Sequence, residues 1–252
     1  MNLLYYLGIS VAIQLTLFIF AFAYRTDKLT DIAYGFTFIL ISVLAFFSEP
    51  YSLVKLVLLT MISLWGLRLG LFLFIRILKQ KKDRRFDEIR KNFFNFFFFW
   101  TFQGVSIWLI LLPSLYFFHE PSNFSLLVLP GFVVWLAGFL IESIADFQKF
   151  RFRHNPKNKD KWIEHGLWNY SRHPNYFGEI LCWIGVYIFV FSFLNITQRI
   201  IGLISPVYIT FLLLFVSGIP KLEDYADKKW GENKEYIRYK NKTSILLPWF
   251  KK

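Results

Sequence analysis

His165 to Trp183 reads HGLWNYSRHPNYFGEILCW and stands between two strongly apolar segments. The chain turns apolar directly after Pro174, and that change sets the local structure. Proline restricts His173 before it to extended backbone and is itself suited to the first position of a helix, so a helix is predicted to begin there. Its free N–H groups then point back at Arg172 and His173. A helix N-terminus flanked by an arginine and a histidine suits an anion such as phosphate or pyrophosphate. Asn175 and Glu179 lie four apart and Tyr176 and Glu179 three apart, so the three share one helix face. Basic residues at a helix start also act as topology signals, and tyrosines there join interfacial belts. Glu179 argues for more, because a carboxylate about one turn inside an apolar run is costly without a partner.

Outward from this stretch, the 252-residue chain is 56% hydrophobic and 21% aromatic. Its apolar residues fall in long runs separated by charged stretches. A bilayer span needs roughly 20 mostly apolar residues, and about seven segments meet or approach that length. The expected fold is therefore all-α, a polytopic helical membrane bundle forming one integral membrane domain over residues 1–252. The first span is expected over Leu3 to Tyr24, before the polar stretch Arg25 to Lys28. The second, from Leu29 to Phe47, carries Asp31 near its start, and the third runs from Tyr51 to Lys79. The fourth is expected over Asn92 to Pro113, the fifth from Phe124 to about Phe150, the sixth from Tyr176 to about Leu194, and the seventh over Ile200 to Gly218. The first segment has neither a basic start nor a clear cleavage site and reads as retained rather than as a signal peptide.

The net charge of +12 would suit nucleic acid, but the basic residues sit at segment ends, where the positive-inside rule accounts for them without a nucleic-acid partner. The loops after the third and fifth segments and the tail are basic, while those after the second and fourth are not. Alternation then places the N-terminus outside and the C-terminus in the cytoplasm. Polar loops at 79–91 and 150–175 and the tail at 221–252 share that cytoplasmic side. A soluble cofactor could there meet a membrane-dissolved lipophilic substrate. The single cysteine, Cys182, excludes an intramolecular disulfide, and the four histidines lack ligand spacing, so no metal is expected.

Other polar residues stand out inside or beside apolar runs. Arg68 and Arg76 share a face of the third helix within about 80°; Arg76 can snorkel, whereas the deeper Arg68 wants a partner or a cavity. Gln103-Gly104 reads as helix packing. Glu142, Asp146, Lys149 and Arg153 follow at spacings of four, three and four and lie within about 60° on the fifth helix. Such a stripe is either a self-satisfied ion ladder or one wall of a polar cavity; its position just before the organising stretch favours the cavity. Glu223 and Asp224 follow Pro220 and could cap a short helix. The closing Trp249, Phe250 and lysine pair suit an interfacial anchor.

GLWNYSRHPNYFGE at Gly166 to Glu179 resembles the signature of the DUF1295 family, a branch of the steroid 5-alpha-reductase-like membrane proteins. Supporting stretches cover most of the chain: LTDIAYG from Leu29, LWGLRL from Leu64, ESIADFQKFRFR from Glu142 and SGIPKLED from Ser217. The Gln148-Lys149-x-x-Phe152-Arg153 pattern is similar to that of the sterol reductases, whose lysine and arginine there contact NADPH. The resemblance implies that Lys149 and Arg153 bind cofactor phosphate and that Arg172, His173, Asn175 and Tyr176 line the cofactor pocket. Glu179 takes the acidic position after the Asn-Tyr pair, and Glu223 falls near an acidic cofactor contact. Asp146 shares the face of Lys149 and is placed in the same cofactor group.

The expected activity is NADPH-dependent reduction of a C=C bond conjugated to a carbonyl in a steroid-like or other lipid. Tyr176, supported by Glu179, is the expected hydrogen-bond donor to the charge that develops on the carbonyl oxygen. Arg-His-Pro-x-Tyr also occurs in isoprenylcysteine carboxyl methyltransferases. S-adenosylmethionine-dependent methyl transfer is therefore the alternative, although that cofactor carries no phosphate for the basic stripe. The expected membrane is a bacterial inner membrane or the endoplasmic reticulum.

Overall fold

The computed structural model describes residues 2–24, 26, 29–80, 89 and 92–249, except the side chains of residues 31 and 76–80. The expectations for Arg25 and Asp27 to Lys28, for Asp31 and Arg76, for most of the 79–91 loop and for the final residues 250–252 lie outside that description. The described chain is all-α, and one isolated bridge, Ser171 to Ser244, is its only β-type pairing.

Six stretches are long and apolar enough to cross a membrane: Leu3–Ala23, Leu53–Ile75, Phe93–Phe118, Leu126–Arg153, Pro174–Phe191 and Ile196–Trp230. The shorter Ile32–Phe47 occupies the place of the expected second span. The protein is a polytopic helical membrane protein. Its first six helices are α1 (Leu3–Ala23), α2 (Thr30–Phe47), α3 (Leu53–Gln80), α4 (Phe93–Phe118), α5 (Leu129–Arg153) and α6 (Pro174–Phe191). They are followed by α7 (Ile196–Gly202), α8 (Ile204–Phe211), α9 (Ile219–Trp230) and α10 (Lys234–Lys242).

Two boundaries differ from expectation for identifiable reasons. α4 does not stop at Pro113 but continues to Phe118. The Ser205 hydroxyl donates to the Ile110 carbonyl at 2.6 Å, which satisfies backbone beside the interruption. The expected last span is broken into α7, α8 and a π turn, Leu212–Val216. Pro206 cannot continue a helix through Gly202, four residues earlier, and Gly218 and Pro220 end the run at the π turn. There Ser217 N–H donates to Leu212 O at 2.9 Å, a five-residue step.

Residues 1–128 with 189–205 form one compact unit. Small residues hold its helices close. A Cβ on Gly35 of α2 would lie 2.5 Å from Gly66 O of α3, and one on Gly104 of α4 would lie 3.0 Å from Val11 Cα of α1. Hydrogen bonds cross between the same helices. Ser10 Oγ donates to Gly104 O at 2.8 Å, Gln14 Nε2 to Thr37 Oγ1 at 2.8 Å and Gln103 Nε2 to Thr30 O at 3.1 Å. Close backbone approach and such bonds carry helix association where burial from water does not. Gly35→Ala is therefore expected to destabilise the protein by about 1–3 kcal/mol, the usual cost of overpacking. Gly8→Ala is the control, because its Cβ would meet nothing within 4 Å. Thermal scans in detergent that give both variants the same midpoint would refute this account.

The second compact unit comprises residues 129–188 and 206–252. Here α5 and α6 meet through glycines on both helices. A Cβ on Gly138 would lie 2.6 Å from Gly178 O, and one on Gly185 would lie 2.4 Å from Trp135 N. Glu142 is buried at this seam, its backbone N 2.5 Å from where a Gly178 Cβ would stand. This tight pairing brings the polar end of α5 beside the start of α6.

Candidate functional site

Past the end of α5 the chain turns at Gly166, whose φ of 63° lies in the left-handed region where a side chain is strained. Gln148 holds the turn, since Leu167 N–H donates to Gln148 Oε1 at 3.0 Å. One turn away, Trp168 Nε1 donates to Ala145 O at 3.1 Å, and Lys149 Nζ sits 4.4 Å from the centre of the Trp168 ring. The polar residues of α5 thereby fix the segment that leads to the Arg-His-Pro sequence.

Arg172 and His173 converge on one carboxylate. Arg172 Nε donates to Glu223 Oε1 at 3.2 Å and Nη2 lies 2.9 Å from Oε2, while His173 Nε2 donates to Oε1 at 2.8 Å. The Arg172 Nη1 group donates to the carbonyls of Lys240 at 2.6 Å and Thr243 at 3.2 Å. Most of the guanidinium's N–H groups are thus directed at Glu223 and the end of α10. The chain after α10 runs along the same segment. Arg172 N–H donates to Ser244 O at 2.8 Å, Ser171 Oγ to Leu246 O at 2.7 Å and Trp249 N–H to Tyr170 O at 3.2 Å. Tyr239 Oη adds a bond to Trp168 O at 2.9 Å. The residues around the Arg-His pair are strapped down by backbone from the tail.

Beside this knot opens a cleft of about 100 Å³. Among the described residues, Lys149, Arg153, Lys161 and Arg172 bring four cationic side chains to it and Glu223 a carboxylate. Trp162, Trp168, Trp230, Tyr236 and Tyr239 supply aromatic walls. Such a lining favours anions, with flat faces available for a ring. The volume takes a fragment and falls well below the roughly 300–1,000 Å³ of a complete small-molecule pocket.

Burial holds the His173 pKa below its ordinary value. The hydrogen bond that His173 donates to Glu223 works the other way, and the Lys149 charge adds to the depression. With the ring neutral, Nε2 faces Glu223 and Nδ1 is a buried acceptor with no hydrogen-bond partner among the described residues. Burial, helped by Glu223 and Asp227, raises Tyr236 to about 12, and burial raises Tyr239 as well. Both phenols stay protonated at neutral pH.

Of the residues singled out in the sequence, Lys149, Arg153, Arg172, His173 and Glu223 line this cleft. Asp146, Asn175, Tyr176 and Glu179 are not among its described lining. The Tyr176 ring stacks on His173 at 5.7 Å between centroids and 8° between planes, with its edge 3.0 Å from where a Gly218 Cβ would lie. Asp224 turns outward to Lys228 at 2.7 Å. Glu223 does not cap a helix; α9 begins at Ile219 without a side-chain cap, which leaves Glu223 to face Arg172 and His173. Sequence reasoning passed over Lys161, Trp162, Trp230, Tyr236 and Tyr239. Among them, the three-residue spacing of Tyr236 and Tyr239, which puts both on one helix face, was the available signal.

No curated protein and no solved structure matches the chain. A family model matches residues 17–243. The chain belongs to that family, DUF1295, described as a protein of unknown function.

Proposed function

We propose that this protein is an NADPH-dependent membrane reductase acting on a C=C bond conjugated to a carbonyl in a lipophilic molecule. The observation that supports it most is that Lys149 and Arg153 of α5 and Arg172 and His173 before α6 line one cleft. When bound, NADPH supplies a hydride to the β-carbon of the substrate. Lys149 and Arg153 hold phosphate through charge-assisted bonds. Glu223 and Arg172 fix the His173 ring, and that ring sets the plane of Tyr176. Tyr176 holds a proton at its hydroxyl and directs it at the carbonyl oxygen where charge develops, with Glu179 beside it on the helix. The charge of the basic loops supports a cytoplasmic site that a substrate reaches through the membrane.

Titration of the purified protein in detergent with NADPH tests the reading. Saturable binding is expected, and Lys149→Ala with Arg153→Ala should weaken it by about tenfold or more, as loss of charge-assisted bonds implies. The reading fails if NADPH does not saturate the protein or if the double variant binds as wild type does. Glu223 within aromatic walls favours one other reading, a site for the sulfonium of S-adenosylmethionine serving methyl transfer. A parallel titration in which the methyl donor binds more tightly than NADPH would put that reading first.

A further inference from the structure

One wall of the cleft takes no part in the chemistry just described. Trp162 packs against Trp230 with centroids 6.1 Å apart at 65°, and against Tyr236 at 5.4 Å and 71°. Trp162 and Trp230 are only half-buried, so each keeps ring surface open where it lines the cleft. The loop that presents Trp162 is anchored with unusual care. Asp160 adopts φ of 61°, its carboxylate pairs with Lys229 at 2.8 Å, and its carbonyl accepts from Trp230 Nε1 at 2.7 Å. A left-handed aspartate is tolerated when surrounding bonds hold it, and here they come from the same helix that carries Trp230. The next two residues, Lys161 and Trp162, are delivered together to the cleft.

Charge and shape at this wall point to a two-part ligand. Lys149, Arg153 and Lys161 line the cleft together with Arg172, whose guanidinium pairs with Glu223. A bare phosphate would use the cations and not the rings; a sulfonium would use the rings and be repelled by the cations. A flat base that carries a phosphate uses both, by stacking and by charge-assisted bonds. The 100 Å³ volume admits one end of a dinucleotide rather than the whole.

We infer that the cleft seats the 2′-phosphoadenosine end of the cofactor, with its base against Trp162 and Trp230, and that Lys161 sets a preference for NADPH over NADH. This rests on the NADPH reading given above and adds to it the position of the adenosine half and three residues outside the proposed chemistry.

The test uses the full chain in detergent and measures displacement of bound NADPH by 2′,5′-ADP, 5′-ADP and inorganic phosphate. 2′,5′-ADP should displace NADPH at concentrations about tenfold or more below those needed for 5′-ADP, the share of one charged phosphate contact. Lys161→Ala should weaken NADPH binding severalfold and leave NADH binding unchanged. Trp162→Ala should weaken both alike, because both carry adenine, and Trp162→Phe should restore most of the affinity. Wild-type NADPH binding that 2′,5′-ADP does not displace overturns the inference and leaves the reductase reading standing. So does an equal loss of NADPH and NADH in Lys161→Ala. An absence of saturable NADPH binding removes both.

Discussion

Glu223→Ala is expected to cost about 3 kcal/mol of stability and to abolish cofactor binding. The carboxylate accepts two contacts from Arg172 and one from His173, and the Arg172 and Glu223 side chains are only 10% and 16% exposed. Removing one member of a mostly buried pair strands the other charge, which costs roughly 3–5 kcal/mol, far above the value of an exposed pair. Arg172 would keep its bonds to the Lys240 and Thr243 carbonyls but lose its counter-charge, and His173 would lose the group that fixes its ring. The expected readout is a thermal midpoint several degrees lower, with NADPH binding lost. Glu223→Gln keeps the shape and one acceptor oxygen, so it should fall between the two.

pH adds a signature specific to this arrangement. The folded His173 has a pKa below its unfolded value of 6.5, so the unfolded chain takes up the proton first as the medium is acidified. The stability this residue contributes is therefore fully present above about 6.5 and declines below it. Glu223 opposes the depression, and without it the decline extends further. The gap between wild type and Glu223→Ala should widen as pH falls beneath 6.5. A variant as stable as wild type, or a gap that narrows over that range, would show that Glu223 does not organise Arg172 and His173.

The sequence made most of the spans readable because their apolar runs are long, and Pro174 marked the start of α6 because proline fits the first turn of a helix. Spacing put Lys149 and Arg153 on one helix face but left an ion ladder and a cavity wall equally open. It was their position just before the Arg-His-Pro stretch, with the resemblance, that favoured the cavity. Glu223 was less legible. Its partners lie 50 and 51 residues away, and its direction depends on the π turn and on Pro220, which local pattern does not announce. Trp162 and Trp230 carried no signal in a chain where 21% of residues are aromatic. The strap beyond α10 was invisible for another reason: it is held largely through its backbone groups, which every residue owns.

That last difference gives the second large effect. Deleting the chain from Ser244 onward is expected to weaken NADPH binding by about tenfold or more while leaving membrane insertion intact. The tail supplies acceptors to Arg172 N–H and to the Ser171 hydroxyl, and covers the Tyr170 carbonyl with Trp249 N–H. Ser171 is fully buried and its oxygen also accepts from His173 N–H at 3.1 Å, so the strap reaches the imidazole through one intermediary. Leaving a buried donor without its acceptor costs roughly 1–3 kcal/mol, and here two donors lie directly beside cleft residues. The affected segment ends within the residues that the family shares, whereas the strap begins just after position 243, where the family match stops. The control exploits exposure: the Leu247 and Trp249 side chains are 62% and 72% exposed, so Leu247→Ser and Trp249→Ala preserve the backbone pairing and should bind NADPH nearly as wild type does. Ser171→Ala should reproduce part of the deletion's loss. If Trp249→Ala is instead as damaging as the deletion and Ser171→Ala is silent, the tail acts through its apolar side chains on the bilayer, and the backbone account of how Arg172 and His173 are held is wrong.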